Sequence, residues 1–198
     1  MKSLRDRKRR HDAFFNKARQ AGFAARSVFK LEDLQQRFRL IRPGDRVLDL
    51  GCRPGSWMQL AAGVVGPHGH VVGVDRAPLP AAIAGTRMIV GDVFALTDEE
   101  LLGELRAFDV LLSDMAPDTT GIRSTDQARS AALVEEALGR AERLLAPGGN
   151  FVAKIFQGPD VALLRKRMEV RFSTVSLVKP EASRAASTEL YLVGRSFA

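Results

Sequence analysis

Between residues 46 and 194 the chain alternates short apolar runs with longer stretches whose apolar residues recur every three or four positions. The runs lie at 46–50, 70–74, 87–91, 108–113, 151–156, 172–178 and 189–194. Short runs of this kind, bounded by turn residues, form strands covered on both faces. Helices are expected over 56–65, 98–106, from Ser124 to about the "PGG" at 147–149, and over 160–168. In the long one, Ala131, Val134, Leu138, Ala141 and Leu145 share a face, and "STDQ" from Ser124 to Gln127 predicts a capping box. Strands alternating with helices imply a mostly parallel seven-stranded sheet with helices on both faces, an α/β fold. The connection through Pro180 is short, so one of the last two strands is a candidate for antiparallel pairing. Ahead of the sheet, residues 11–21 and 27–39 read as helices, with Leu31, Leu34 and Phe38 on one face.

Ligands of such sheets bind beyond the carboxyl ends of the strands. Polar residues at those ends therefore carry the functional reading. The first strand runs into "VLDLGCRPGSW", where Gly51 and Gly55 let backbone amides approach a ligand and Asp49 can fix the loop. A tight turn needing glycine for its own dihedrals is the alternative. Asp75 follows the second strand, 20 residues beyond Gly55, the spacing of an acid that accepts from a ribose diol. NAD and S-adenosylmethionine both suit that spacing, but "GCRPG" is not G-x-G-x-x-G, which disfavours a dinucleotide. Asp92 in "MIVGD" can meet an adenine amino group, or simply close a turn. Asp114 in "DVLLSDMAP" faces the crevice after an apolar run, and Pro117 delays the next helix.

Lys154 is the anomaly. It stands inside "FVAKIF", an apolar strand, where a charge is tolerated only if paired or neutralised. Asp114 and Glu189, at the ends of other strands, are its candidate partners. A neutral amine there can serve as a general base. Taken singly, Glu189 reads as a surface acid.

Charge is unevenly distributed. Residues 1–39 hold twelve Lys and Arg against four Asp and Glu, whereas the rest of the chain is close to balanced; the total is +7. This concentration points to a polyanionic partner, nucleic acid foremost. Arg165, Lys166 and Arg167 either extend that surface or form a solvated helix face. The single cysteine, Cys52, excludes an internal disulfide and a multi-cysteine metal site. His11, His68 and His70 lack ligand spacing and read as surface residues, so no metal is expected. No apolar run is long enough to cross a bilayer, and the N-terminus lacks a secretory h-region, so a cytoplasmic protein is expected.

The segments "RSVFKLEDLQQ", "VLDLGCRPGSWMQ", "SDMAPD", "APGGNFVAKIFQG" and "SRAASTELYLV" resemble, in order, the FtsJ/RrmJ family of ribosomal RNA 2′-O-ribose methyltransferases. The resemblance spans roughly residues 12–195. It implies a Rossmann-like class I methyltransferase domain over 27–198, preceded by a basic RNA-contacting arm and helix over 1–26. It places a catalytic Lys-Asp-Lys-Glu tetrad on Lys30, Asp114, Lys154 and Glu189. Adenosylmethionine contacts fall on Gly55, Trp57, Asp75, Asp92 and Asp114, with Asp49, Gly51 and Ser56 in the same loop region. The sequence departs from the family at Cys52 and Arg53, at Ser56 in place of glycine, and at Asp118 in place of asparagine.

The implied reaction moves a methyl group from S-adenosylmethionine to a ribose 2′-hydroxyl of large-subunit rRNA, a uridine of the A-loop, without a metal. The implied partner is rRNA within the large subunit, bound by a monomer through Arg5, Arg7, Lys8, Arg9, Arg10, Lys17, Arg19 and Arg26. Two other uses of the same fold stay open at this point: 2′-O-methylation of tRNA or an mRNA cap, and a non-catalytic RNA-binding assembly factor.

Overall fold

The computed structural model describes residues 14–183 and 187–198. Helix α1 covers residues 14–20 and α2 Val28–Phe38. The sheet begins with β1, Arg46–Leu50, followed by α3, Ser56–Val65, and β2, His70–Asp75. Next come β3, Thr86–Val90, α4, Asp98–Leu102, and β4, Phe108–Ser113. The chain continues through α5, Arg123–Leu144, β5, Leu145–Phe156, and α6, Val161–Arg171, then ends with β6, Phe172–Val178, and β7, Glu189–Phe197. The strands form one sheet in the order β3-β2-β1-β4-β5-β7-β6. β7 is the reversed strand, antiparallel to both β5 and β6; the other pairings are parallel.

The runs of β1, β2, β4, β5 and β7 become strands because their alternate residues enter two different cores, while the edge strands β3 and β6 are only partly covered. Val47, Val71, Val110 and Val152 face one side, with Leu31, Leu34, Trp57 and Met58 of α2 and α3. Leu48, Val72, Leu111 and Ala153 face the other, with Val134, Leu138 and Ala141 of α5 and Met168 of α6. This alternation decides where the polar residues go. Lys154 follows Ala153, and Tyr191 precedes Leu192, so both project on the α2–α3 side, opposite each other in the β5–β7 register.

Several boundaries differ from the sequence expectation. No capping box forms at Ser124–Gln127: α5 starts at Arg123 after Ile122, with no side-chain cap. Asp126 instead turns back to the preceding loop, accepting from Thr120 N at 2.7 Å and Gly121 N at 3.2 Å. The capping box of this fold is on α4, where Thr97 and Glu100 satisfy each other's backbone N–H groups. That helix ends at Leu102 rather than at residue 106, because Gly103 takes φ 58° and donates back to Glu99 O. β5 begins at Leu145, earlier than expected, and its pairing with β4 slips between Phe108 and Val110 to absorb the "PGG" segment.

Helix α1 and the turn that follows pack on α2 and α3. Ala18, Val28 and Phe29 are buried together, and Phe14 packs its ring 5.5 Å from Phe29. Gln59 of α3 clamps the turn, accepting from Ala24 N at 2.8 Å and donating to Gly22 O at 3.2 Å.

Candidate active site

The carboxyl ends of β1, β2 and β4 open into a cavity of about 520 Å³, whose lining includes Gly51, Asp75, Asp92 and Asp114. Its base is the β1–α3 turn. Gly51 takes φ +74°, and a Cβ there would lie 2.6 Å from Met115 Cγ, so only glycine fits. The Asp75 carboxylate is aimed by backbone: Oδ2 accepts from Arg53 N and Oδ1 from Ala77 N, both at 3.1 Å. Asp92 accepts from Phe94 N at 3.0 Å. The segment carrying it is pinned from behind by Arg140 of α5, a buried guanidinium that donates to Val93 O at 2.9 Å and Leu96 O at 2.7 Å and pairs with Asp98 and Glu136.

Asp49 lies under this turn, wholly buried, and neither carboxyl oxygen has a hydrogen-bond partner among the described residues. Burial pushes its pKa well above the ordinary aspartate range, and the neighbouring Asp114 and Asp75 charges push the same way. Burial also raises the Cys52 thiol, next in the turn.

Beside the cavity, charged side chains from four distant segments converge. Lys154 is only 6% exposed; its Nζ lies 3.0 Å from Asp114 Oδ1 and 2.6 Å from the Asp114 main-chain oxygen. Lys30 reaches from α2 to Glu189 Oε2 at 2.9 Å. Burial pushes the Glu189 carboxyl up, but the Lys30 charge and hydrogen bond, with Lys154 and the Ser187 hydroxyl, outweigh it and hold the carboxyl below its ordinary range. The sequence expectation that Asp114 and Glu189 both partner Lys154 is met directly only by Asp114. Glu189 is the direct partner of Lys30 and acts on Lys154 at longer range.

One further residue holds this quartet. Tyr191, the only tyrosine in the chain, is fully buried and donates its hydroxyl to Asp114 Oδ1 at 2.7 Å. Burial and the Asp114 charge push that phenol well above its ordinary value, which keeps it a donor. Its ring lies 5.9 Å from Trp57, and Lys30 Nζ stands 5.6 Å from its centroid. Ser27 accepts the Trp57 indole N–H on its carbonyl at 2.9 Å and meets the Ser56 hydroxyl at 2.8 Å. In the sequence Tyr191 is one more member of the apolar 189–194 run. The available signal was that a buried tyrosine needs a partner for its hydroxyl.

The candidate residues thus divide. Gly51, Asp75, Asp92 and Asp114 line the cavity. Ser56 and Trp57 are buried against the α2 side, and Gly55 caps α3 with φ 108°. Lys17 and Arg19 are exposed on α1, Lys17 Nζ lying 4.7 Å from the Phe29 ring centroid; Arg26 is half-buried. Arg5, Arg7, Lys8, Arg9, Arg10 and His11 lie outside the described residues. His68 and His70 are exposed, as expected. Arg165 and Arg167 pair with Glu169 and Glu142, which favours the solvated-face reading of α6. Among the described residues no group of His, Cys, Asp or Glu is placed to hold a metal, and no helix is long and apolar enough to cross a membrane.

The sequence pattern of FtsJ-like methyltransferases matches residues 23–197. A "Ribosomal RNA large subunit methyltransferase E" of Desulfatibacillum aliphaticivorans is 49% identical over 187 residues, 93% of this chain and 90% of that protein. One from Bdellovibrio bacteriovorus is 47% identical over 188 residues, 93% of this chain and 96% of its own length. Among solved structures, a Plasmodium falciparum protein provisionally assigned as a ribosomal RNA methyltransferase superposes with a TM-score of 0.77 at 23% identity, covering 88% of this chain and 98% of its own. Aeropyrum pernix fibrillarin, with S-adenosylmethionine natively bound, gives 0.60 at 17% identity over 85% of this chain and 76% of its own. The fold is that of class I methyltransferases.

Proposed function

The chain belongs to the FtsJ-like methyltransferase family, and on that footing we propose that it transfers a methyl group from S-adenosylmethionine to a ribose 2′-hydroxyl of large-subunit ribosomal RNA, a uridine of the A-loop. The observation that carries the reading is the convergence of Lys30, Asp114, Lys154 and Glu189 beside an acid-lined cavity. The cavity's chemistry fits the donor. Asp75, oriented by two backbone amides, suits a ribose diol, and Asp92 an adenine amino group. The glycine at 51 leaves room for close approach.

When bound, S-adenosylmethionine supplies an electrophilic methyl group on a sulfonium. The chain's residues handle the acceptor. Once the Lys154 ammonium has given up one proton, the amine has two N–H bonds, and Asp114 offers two acceptors, Oδ1 and the main-chain oxygen. The nitrogen lone pair is then left for the ribose hydroxyl, whose proton Lys154 takes as the oxygen attacks. Asp114, held by the Tyr191 hydroxyl, balances the ammonium that results. Lys30, fixed by Glu189, sets the charge on the acceptor side. Positioning of oxygen against methyl contributes most of the acceleration, and proton transfer adds roughly 10²–10⁴-fold.

RNA is held in this reading by Arg5, Arg7, Lys8, Arg9, Arg10, Lys17, Arg19 and Arg26, residues 1–26 acting as the RNA-contacting part and 27–198 as the catalytic domain. The enzyme works as a monomer on the assembled large subunit, in the cytoplasm. The test is a map of 2′-O-methyl sites on total RNA from cells with and without the gene. One large-subunit uridine should lose its methyl group; an unchanged large-subunit rRNA would sink the assignment.

A further inference from the structure

A second cavity, about 380 Å³, adjoins the charged quartet from another direction. Asp114 lines the first cavity and Glu189 the second, and the two share no lining residue. The volume is within the roughly 300–1,000 Å³ range of small-ligand pockets. Its walls are already fixed by satisfied hydrogen bonds. Asp126 accepts from Thr120 N at 2.7 Å, Thr120 Oγ1 at 2.9 Å and Gly121 N at 3.2 Å, which sets the loop side. Ser130 Oγ accepts from Phe156 N at 3.0 Å, and Gln157 N donates to Thr188 O at 2.8 Å, which sets the strand side.

The groups left over define the ligand. The Phe156 ring is an apolar wall, and the Thr119 and Thr188 hydroxyls have no partner among the described residues. Two carboxylates, Asp126 and Glu189, line the interior and oppose an anion there. The exposed Arg123 guanidinium likewise has no partner among the described residues. A neutral, flat, hydrogen-bonding group inside with an anion beside Arg123 is the pattern of one nucleotide. Methyl transfer requires donor and acceptor to approach from opposite sides, since the oxygen attacks in line with the breaking carbon–sulfur bond. An acceptor whose 2′-hydroxyl meets Lys154 must enter from a direction other than the donor cavity.

We propose that this cavity receives the base of the nucleotide being methylated, turned out of its stack, with Phe156 against its face, Thr119 and Thr188 at its edge and Arg123 on a flanking phosphate. Unstacked bases are the usual targets of sequence-selective RNA recognition. The inference rests on the rRNA reading above, and its test separates the two. Large ribosomal subunits purified from cells lacking the gene serve as acceptor, with labelled S-adenosylmethionine as donor. Arg123→Ala should raise KM for subunits about tenfold, the worth of one charged hydrogen bond, with kcat within about twofold; Arg123→Lys should recover most of it. Thr119→Trp, which fills the cavity from an exposed loop, should lower kcat/KM by about a hundredfold or more and leave the donor dissociation constant unchanged. Unmoved subunit kinetics in both Arg123→Ala and Thr119→Trp, with an active wild type, overturn the inference alone. A loss in Thr119→Trp traced wholly to weaker donor binding also overturns it. A wild type inert on these subunits overturns the rRNA reading together with the inference.

Discussion

Lys154→Met separates the structural and chemical roles of the buried lysine. Methionine keeps the apolar stem and removes the charge. Asp114, 19% exposed, is then left with the Tyr191 hydroxyl as its remaining close side-chain partner among the described residues. Breaking a buried pair from one side costs about 3–5 kcal/mol. Residual exposure and the tyrosine hydrogen bond place this case at the low end, about 3 kcal/mol. With an m-value of about 2 kcal/mol/M, the urea midpoint should fall by about 1.5 M. Adding Asp114→Asn removes the stranded charge, so the double variant should regain about 2 kcal/mol although it carries one more change. Activity should not follow stability. Both variants should lose methyl transfer by roughly 10²–10⁴-fold or more, while Lys154→Met keeps its affinity for adenosylmethionine, because the lysine does not line the donor cavity. A double variant no more stable than the single one refutes the stranded-charge argument. Near wild-type transfer by Lys154→Met refutes the proton-acceptor role.

Asp75→Ala should weaken adenosylmethionine binding by about tenfold or more, read by calorimetry, with kcat retained at saturating donor; an unchanged dissociation constant removes the ribose assignment. Gly51→Ala should cost about 1–2 kcal/mol for its positive φ alone, and more for the contact with Met115, seen as a lower thermal midpoint together with poor donor binding. Asp49→Asn tests the buried acid through pH. The folded carboxyl is raised above the ordinary aspartate value of 3.8, so its contribution to stability is intact below that pH and lost as pH rises through the folded value. The amide does not titrate. Its stability relative to wild type should therefore climb from about pH 4 upwards in parallel urea melts, and a flat difference would show that Asp49 is not held neutral. Neutralising Arg5, Arg7, Lys8, Arg9 and Arg10 should lower the log–log salt slope of RNA binding by roughly 0.7–0.9 per lost phosphate contact, with donor affinity unchanged; an unmoved slope makes the arm a bystander.

The inner strands β1, β2, β4, β5 and β7 could be read from the sequence because each carries an apolar run whose two faces both enter a core, and burial on both faces leaves little local ambiguity. The edge strands β3 and β6 are half-buried and were legible from their apolar, β-branched runs and flanking turns. Glycine at 51 and acids at 75, 92 and 114 were legible for a related reason: strand ends face the ligand crevice whatever the strand order. Lys154 was conspicuous because a charge inside such a run demands a partner. Tertiary structure alone decided which partner. Lys30 and Glu189 are 159 residues apart in sequence, and their contact depends on β7 running antiparallel beside β5 so that Phe156 faces Glu189 and Lys154 faces Tyr191. A one-residue change of that register would send Tyr191 to the α5 face and leave Asp114 without its hydroxyl donor. The α5 start shows the same limit on a smaller scale. Ser124–Gln127 has the local pattern of a capping box, yet Asp126 is taken by the Thr120–Gly121 loop, and the helix begins one residue earlier without a side-chain cap. Local sequence fixes which groups can bond; long-range packing fixes which of them meet, because a hydrogen bond formed across the fold competes on equal terms with one formed within a turn.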